Sequence, residues 1–210
     1  MTPTIRPAAD ADSGQVVSLI AACWVRYPGN VLDIAGEEPG LRAVALHYAA
    51  KRGRFWVATL PFPKTEGITG CVGVVPTPAN EEAKAELVRL YVHPRLRRQG
   101  LARRLAALAE AQAREWGAEA VDLWSDTRFR EAHAFYQALG YTQTGETRDL
   151  HDLSNSTEYH FIKRLDSLSQ SLHQTQRTHP FHPHYITTSY GLSPGHRDRH
   201  RRKDPVETQS

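Results

Sequence analysis

Leu87-Val88-Arg89-Leu90-Tyr91-Val92-His93-Pro94-Arg95-Leu96-Arg97-Arg98-Gln99-Gly100-Leu101-Ala102 decides how the rest of the chain is read. Its first six residues, rich in β-branched and aromatic side chains, read as a strand, and Pro94 ends it. An arginine-rich turn follows, and Gly100 opens a helical pattern. A helix start carries unpaired backbone N–H groups and about half a positive charge, so a pyrophosphate is stabilised there. Gly100 lets the backbone approach such a group with no side chain between. Ala102 is the smallest substitute for a second glycine, and the arginines add charge-assisted contacts. Taken alone, the same residues are equally a basic loop before a helix.

Reading outward, the helix is predicted over residues 99–116. Leu101, Leu105, Ala109, Ala113 and Trp116 recur at helical spacing, and Gly117 is its stop. A strand at 120–124 and a short helix at 131–139 come next, the helix turning Ala132, Phe135, Tyr136 and Leu139 inward. Strands at 141–147 and 159–163, joined by a polar loop at 148–158, close the pattern. Toward the N-terminus, strands at 85–92 and 68–75 form an antiparallel meander across a loop at 76–82, preceded by a turn at 61–64 and a strand at 55–59. A helix over 41–50, a helix carrying Val16, Ile20, Cys23 and Trp24, and a strand at 5–7 open the chain. Asp10 and Asp12 read as N-caps of the first helix. The β-α-β-α order in the middle requires at least one parallel pair. In the strand at 85–92, alternation puts Glu86, Val88, Leu90 and Val92 on one face and Leu87, Arg89 and Tyr91 on the other, unless a bulge intervenes.

Apolar residues make up 40% of the 210 and charged ones 23%, so most of the chain is expected to fold as one domain. The periodicity stops after Leu165, and residues 166–210, rich in Ser, Thr, Gln, His, Pro and Arg, read as a disordered tail. The formal charge of +3 does not by itself point to nucleic acid. Cys23 and Cys71 sit in apolar surroundings and read as reduced thiols, which with the lack of a signal peptide or spanning segment predicts a cytoplasmic protein. His47, His93, His133 and His160 are scattered, none with partners at zinc spacing, so no metal is expected.

The core Arg97-x-x-Gly100-x-Ala102, with the strand before it, the long helix after it and Ala132-x-x-Phe135-Tyr136-x-x-x-Gly140-Tyr141 further on, resembles the acyl-CoA-binding pattern of the GNAT superfamily of N-acetyltransferases. The likeness runs over roughly residues 5–165. It implies an α/β (α+β) fold of GNAT type, with a mixed, mostly antiparallel sheet of six to seven strands flanked by about four helices. It also implies transfer of an acetyl group from acetyl-CoA, a co-substrate, to a primary amine of a small molecule or protein, by direct attack in a ternary complex. The backbone of Leu90, Tyr91 and Val92, on a strand that carries a bulge in such enzymes, would hold the pantetheine arm. Arg97, Arg98, Gln99, Gly100, Leu101 and Ala102 would hold the phosphates.

The same resemblance puts Tyr136 near the CoA sulfur. A phenol with a pKa near ~10 can there protonate a thiolate whose parent thiol titrates near ~8.5. From spacing alone Tyr136 reads rather as a core aromatic, and it is the family pattern that reverses this. An attacking amine must be neutral, and Glu86, fourteen residues before Gly100, stands where histone-acetylating members carry their glutamate base; by position alone it is equally a solvated charge. One departure is Phe129, where many relatives have an asparagine that touches CoA. Residues 125–128 and the loop after 147 are expected to face the acceptor. The alternative function is an acyl-CoA sensor module without catalysis. A nucleic-acid binder using Arg95 to Arg104 has no use for a helix-start glycine. The expected partners are therefore the amine acceptor alone, with no specific nucleic acid and no membrane, the protein being a monomer or homodimer.

Overall fold

The computed structural model describes residues 2–61, 66–78 and 83–165. The 166–210 tail and most of the expected turn at 61–64 and loop at 76–82 therefore lie outside the described residues.

Seven strands form one sheet: β1 (Thr4–Pro7), β2 (Arg54–Pro61), β3 (Glu66–Pro76), β4 (Lys84–Val92), β5 (Ala120–Asp126), β6 (Thr142–Asp149) and β7 (Thr157–Arg164). Their order is β1-β2-β3-β4-β5-β7-β6. Every neighbouring pair is antiparallel except β4 with β5. Four α-helices cover the faces: α1 (Ser13–Trp24), α2 (Val44–Ala50), α3 (Leu101–Glu115) and α4 (Arg130–Ala138). This is the α/β layering expected, at the upper end of the strand count.

Two cores result, one on each face. Leu101, Leu105, Ala109 and Ala113 of α3 are buried with Val72, Val74, Leu87, Val121, Leu123 and Phe161, and Tyr136 of α4 joins them. Gly70 lets α3 lie this close, since a Cβ there would sit 3.0 Å from Leu105 and 3.2 Å from Leu101. On the other face Val16, Ile20 and Cys23 of α1 and Val44 and Tyr48 of α2 pack on Phe55, Val57 and Cys71. Burying each large aliphatic side chain contributes about 1.5–3 kcal/mol. Among the described residues no helix is long and apolar enough to cross a membrane.

Two local expectations are corrected, and one reservation is met. Asp10 and Asp12 do not cap α1. Asp10 Oδ1 accepts from the N–H groups of Ala45 and Leu46 in the first turn of α2, at 2.8 and 3.1 Å. Asp12 stands at the N-cap position of α1, but its carboxylate takes Arg6 at 2.7 and 2.8 Å and the Ala9 N–H at 2.8 Å. The helix expected over 41–50 begins at Val44, after a 3-10 turn at Pro39–Arg42. The reservation concerns β4, where a bulge does interrupt the alternation. The pairing with β3 slips between Cys71 and Gly73, and Arg89 takes a positive φ of 54°. The extra residue changes the phase, so Ala85, Leu87, Leu90 and Val92 share the α3 face while Val88 and Tyr91 pack on the α1 and α2 face.

Candidate active site

β4 and β5 pair only at Lys84 with Ala120, Ala85 with Val121 and Glu86 with Asp122, although β4 continues to Val92 and β5 to Asp126. Beyond that rung the strands part, and the bulge at Arg89 drives the divergence. A groove of about 1410 Å³ opens between them and runs on between the helices.

At one end lies the turn into α3. Gly100 has a φ of 80°, in the left-handed region, and a Cβ built there would meet nothing within 4 Å. No side chain caps the helix, so its first N–H groups have no partner within the helix. Arg97, Arg98, Gly100, Leu101 and Ala102 all line the groove. Gln99 does not: its side chain is exposed on the other side of the turn and donates to the Arg95 carbonyl. Arg97 is held by Glu131, on the first turn of α4, at 3.0 Å, and Glu131 also takes Arg26 at 3.1 Å. This bridge was not expected from sequence, where its three members are far apart.

In the middle, Leu90, Tyr91 and Val92 line the groove where β4, still paired with β3, has parted from β5. The thiols of Cys23 and Cys71 donate to the carbonyls of Val92 and Arg89, at 3.4 and 3.2 Å. Both cysteines are free and buried. Tyr91 accepts from the Trp24 indole N–H at 3.0 Å, and burial pushes its phenol up to about 12. Tyr136 lines the same stretch, only 7% exposed. Burial, with Tyr91 nearby, raises its pKa well above the tyrosine norm, so it stays a phenol. Phe129 also lines the groove, its ring 4.5 Å from that of Tyr27, so here an aromatic contact replaces the amide that many relatives carry.

At the far end stands Glu86. Among the described residues no side chain donates a hydrogen bond to its carboxylate. Burial first, then Asp122 and Glu158, raise its pKa, against Arg148 and Lys51. Arg148 stacks over Trp124 at 4.4 Å and pairs with Glu158 at 2.7 Å. Arg89, the bulge residue, pairs with Glu38. Ser125 and Asp126 line the groove as expected, but Arg128 turns away to bind Asp126, Ser154 and Ser156. The loop expected at 148–158 shortens to 150–156, and its flanks contribute Arg148 and Glu158 to the groove.

A splayed sheet with a glycine-gated helix start on one side and a half-buried carboxylate on the other fits an acyl-CoA-dependent transferase. Residues 18–141 match the acetyltransferase (GNAT) family model, and the chain belongs to that family, whose members are acetyl-CoA-dependent N-acetyltransferases. The N-acetyltransferase YjgM of Escherichia coli is 32% identical over 143 residues, 67% of this chain and 82% of that protein. Human N-acetyltransferase 8 is 35% identical over 103 residues, covering 48% of this chain and 44% of its own length. In fold, YncA of Salmonella typhimurium, solved with its cofactor acetyl-CoA, superposes with a TM-score of 0.59 at 18% identity, over 79% of this chain and 95% of that one.

Proposed function

We propose that the protein transfers an acetyl group from acetyl-CoA directly to a primary amine of a small molecule or protein, both bound at once in the groove. The observation that carries this is the split between β4 and β5, which opens Glu86, the Arg89 bulge, Gly100 and Tyr136 onto one cavity. The open space before Gly100 and the uncapped start of α3 suit a pyrophosphate, with Arg97 and Arg98 beside it. The backbone of Leu90 to Val92, freed from pairing with β5, offers N–H and C=O groups to an extended pantetheine arm and to a thioester oxygen.

Acetyl-CoA supplies the activated acyl group. Glu86, with its raised pKa, is a stronger base than an ordinary glutamate and takes the proton from the amine. Tyr136, kept protonated, gives one to the departing sulfur. No covalent enzyme intermediate is needed. We further assign the catalytic domain to residues 1–165 and the setting to the cytoplasm, where two buried free thiols remain reduced.

Release of free CoA thiol, followed across spermidine, L-lysine, glycine and a peptide with a free N-terminus, tests the reading. Acceptor-dependent turnover is expected. Acetyl-CoA binding with no turnover on any amine would shift the assignment to a sensor module, and no binding would overturn it.

A further inference from the structure

Glu86 and Asp122 face each other on the last paired rung of the parallel strands β4 and β5. Their neighbours Leu87, Val121 and Leu123 point into the core beneath α3, so both carboxylates lie on the opposite face. Only Glu86 lines the groove; Asp122 stands behind it. Asp122 Oδ1 is buried and, among the described residues, has no hydrogen-bond partner. Asp122 Oδ2 meets His160 Nε2 at 3.3 Å. The imidazole is fixed in turn by Thr144 Oγ1 on Nδ1 at 3.1 Å and by the tilted Trp124 ring, its centroid 4.6 Å away. Glu146 Oε2 lies 3.7 Å from the same Nδ1.

A buried carboxylate oxygen without a donor is costly, and the His160 contact on the other oxygen holds Asp122 in that position. Two carboxyls set side by side resist ionising together, and one of them holds a proton more tightly. Here the groove selects which one meets the amine.

We propose that Asp122, braced by His160, is a positioning residue that acts through Glu86, the two forming a carboxyl pair across the parallel strands that strengthens the base. The proposal rests on reading Glu86 as the general base. The amine N–H bond breaks and its proton passes to Glu86. The freed electron pair makes the bond to the acetyl carbon, the carbon–sulfur bond breaks, and the sulfur leaves with its pair and takes the Tyr136 proton. Glu86 then returns its proton through solvent to Tyr136. Besides Asp122 of β5, the charges facing Glu86 are Arg148 of β6, Glu158 of β7 and Lys51 after α2.

The test is the pH profile of kcat, with the fastest amine of the panel above, for wild type and for Glu86→Gln, Asp122→Asn, Asp122→Ser, His160→Gln and His160→Leu. The acetyl-CoA dissociation constant of each variant reports folding. Removing the Asp122 charge makes Glu86 more acidic, so the acid limb of kcat moves to lower pH by roughly half a unit or more and the plateau falls several-fold. KM for acetyl-CoA stays put. His160→Gln, which keeps a donor on Asp122, remains within about twofold of wild type, while His160→Leu loses several-fold in kcat. Neutral Asp122 variants with the wild-type profile, beside an impaired Glu86→Gln, overturn the pair and leave the base standing. Wild-type kcat in Glu86→Gln overturns the base, and the pair with it.

Discussion

Gly100 carries two demands at once, and they separate in experiment. Its φ of 80° strains any L-residue by about 1–2 kcal/mol, while the space its missing side chain leaves is open. Gly100→Ala is therefore expected to cost about 1 kcal/mol in a urea melt, with no clash to repair. By contrast the acetyl-CoA dissociation constant, read by calorimetry, should rise tenfold or more, because the new methyl occupies the anion's approach. Tyr136→Phe is the complement. The ring contacts with Phe135, Tyr141 and Phe161 survive, so the melting temperature and acetyl-CoA affinity should hold while kcat falls about 100-fold. Since burial raises the Tyr136 pKa, activity that depends on its proton is lost only above that raised value. The wild-type kcat profile should thus show no alkaline fall below the ordinary tyrosine value of about 10. Both residues were visible in the sequence as members of a spaced pattern. The inward turn of Tyr136 was legible too, but its partners in β7 and at Tyr91 were not, because spacing within α4 does not reveal them.

Elements were legible where one periodicity rules. α3 shows its buried stripe at Leu101, Leu105, Ala109 and Ala113 in the spacing alone. What spacing hides is the partner of a polar group. Glu110 lies on the buried side of α3, 6% exposed, and is matched by Lys163 at 2.8 Å and Tyr141 at 3.2 Å from two distant segments. Alternation alone could not place the bulge in β4 for a related reason: a bulge is a property of two strands, and the register against β3 fixes where it falls. The same holds for Asp10, whose local signal as a cap was real but whose helix is 35 residues away. Asp10→Ala should therefore loosen α2, costing about 0.5–2 kcal/mol in stability. Hydrogen exchange would show faster amides at Ala45 and Leu46 and unchanged ones in α1; faster exchange confined to α1 would return the cap to its sequence neighbour.

At the scale of the whole molecule, the end of the groove proposed for the acceptor is flanked by segments that meet only in the fold. Ser154 accepts from the Val31 N–H at 2.8 Å and donates to the Val31 carbonyl at 3.3 Å, and Glu37 accepts from the Leu153 N–H at 2.6 Å. Arg128 pins the same loop from below through Ser154 and Ser156. These bonds clasp the segment after α1 to the β6–β7 loop, and Val25, Val31, Leu150 and Leu153 of these segments are exposed. Residues 116 and 123 positions apart in sequence carry no shared signal, so this clasp was unreadable beforehand, whereas the end proposed for CoA rests mainly on one strand, one turn and one helix. The two halves should accordingly fail separately. Ser154→Ala combined with Glu37→Ala removes three hydrogen bonds at the rim, worth about 0.5–1.5 kcal/mol each. That change should raise KM for the amine several-fold and speed proteolysis within 25–38 and 150–156, with KM for acetyl-CoA unmoved. A matched rise in both KM values would mean that the clasp holds the groove as one piece, and that the division between cofactor and acceptor halves is drawn in the wrong place.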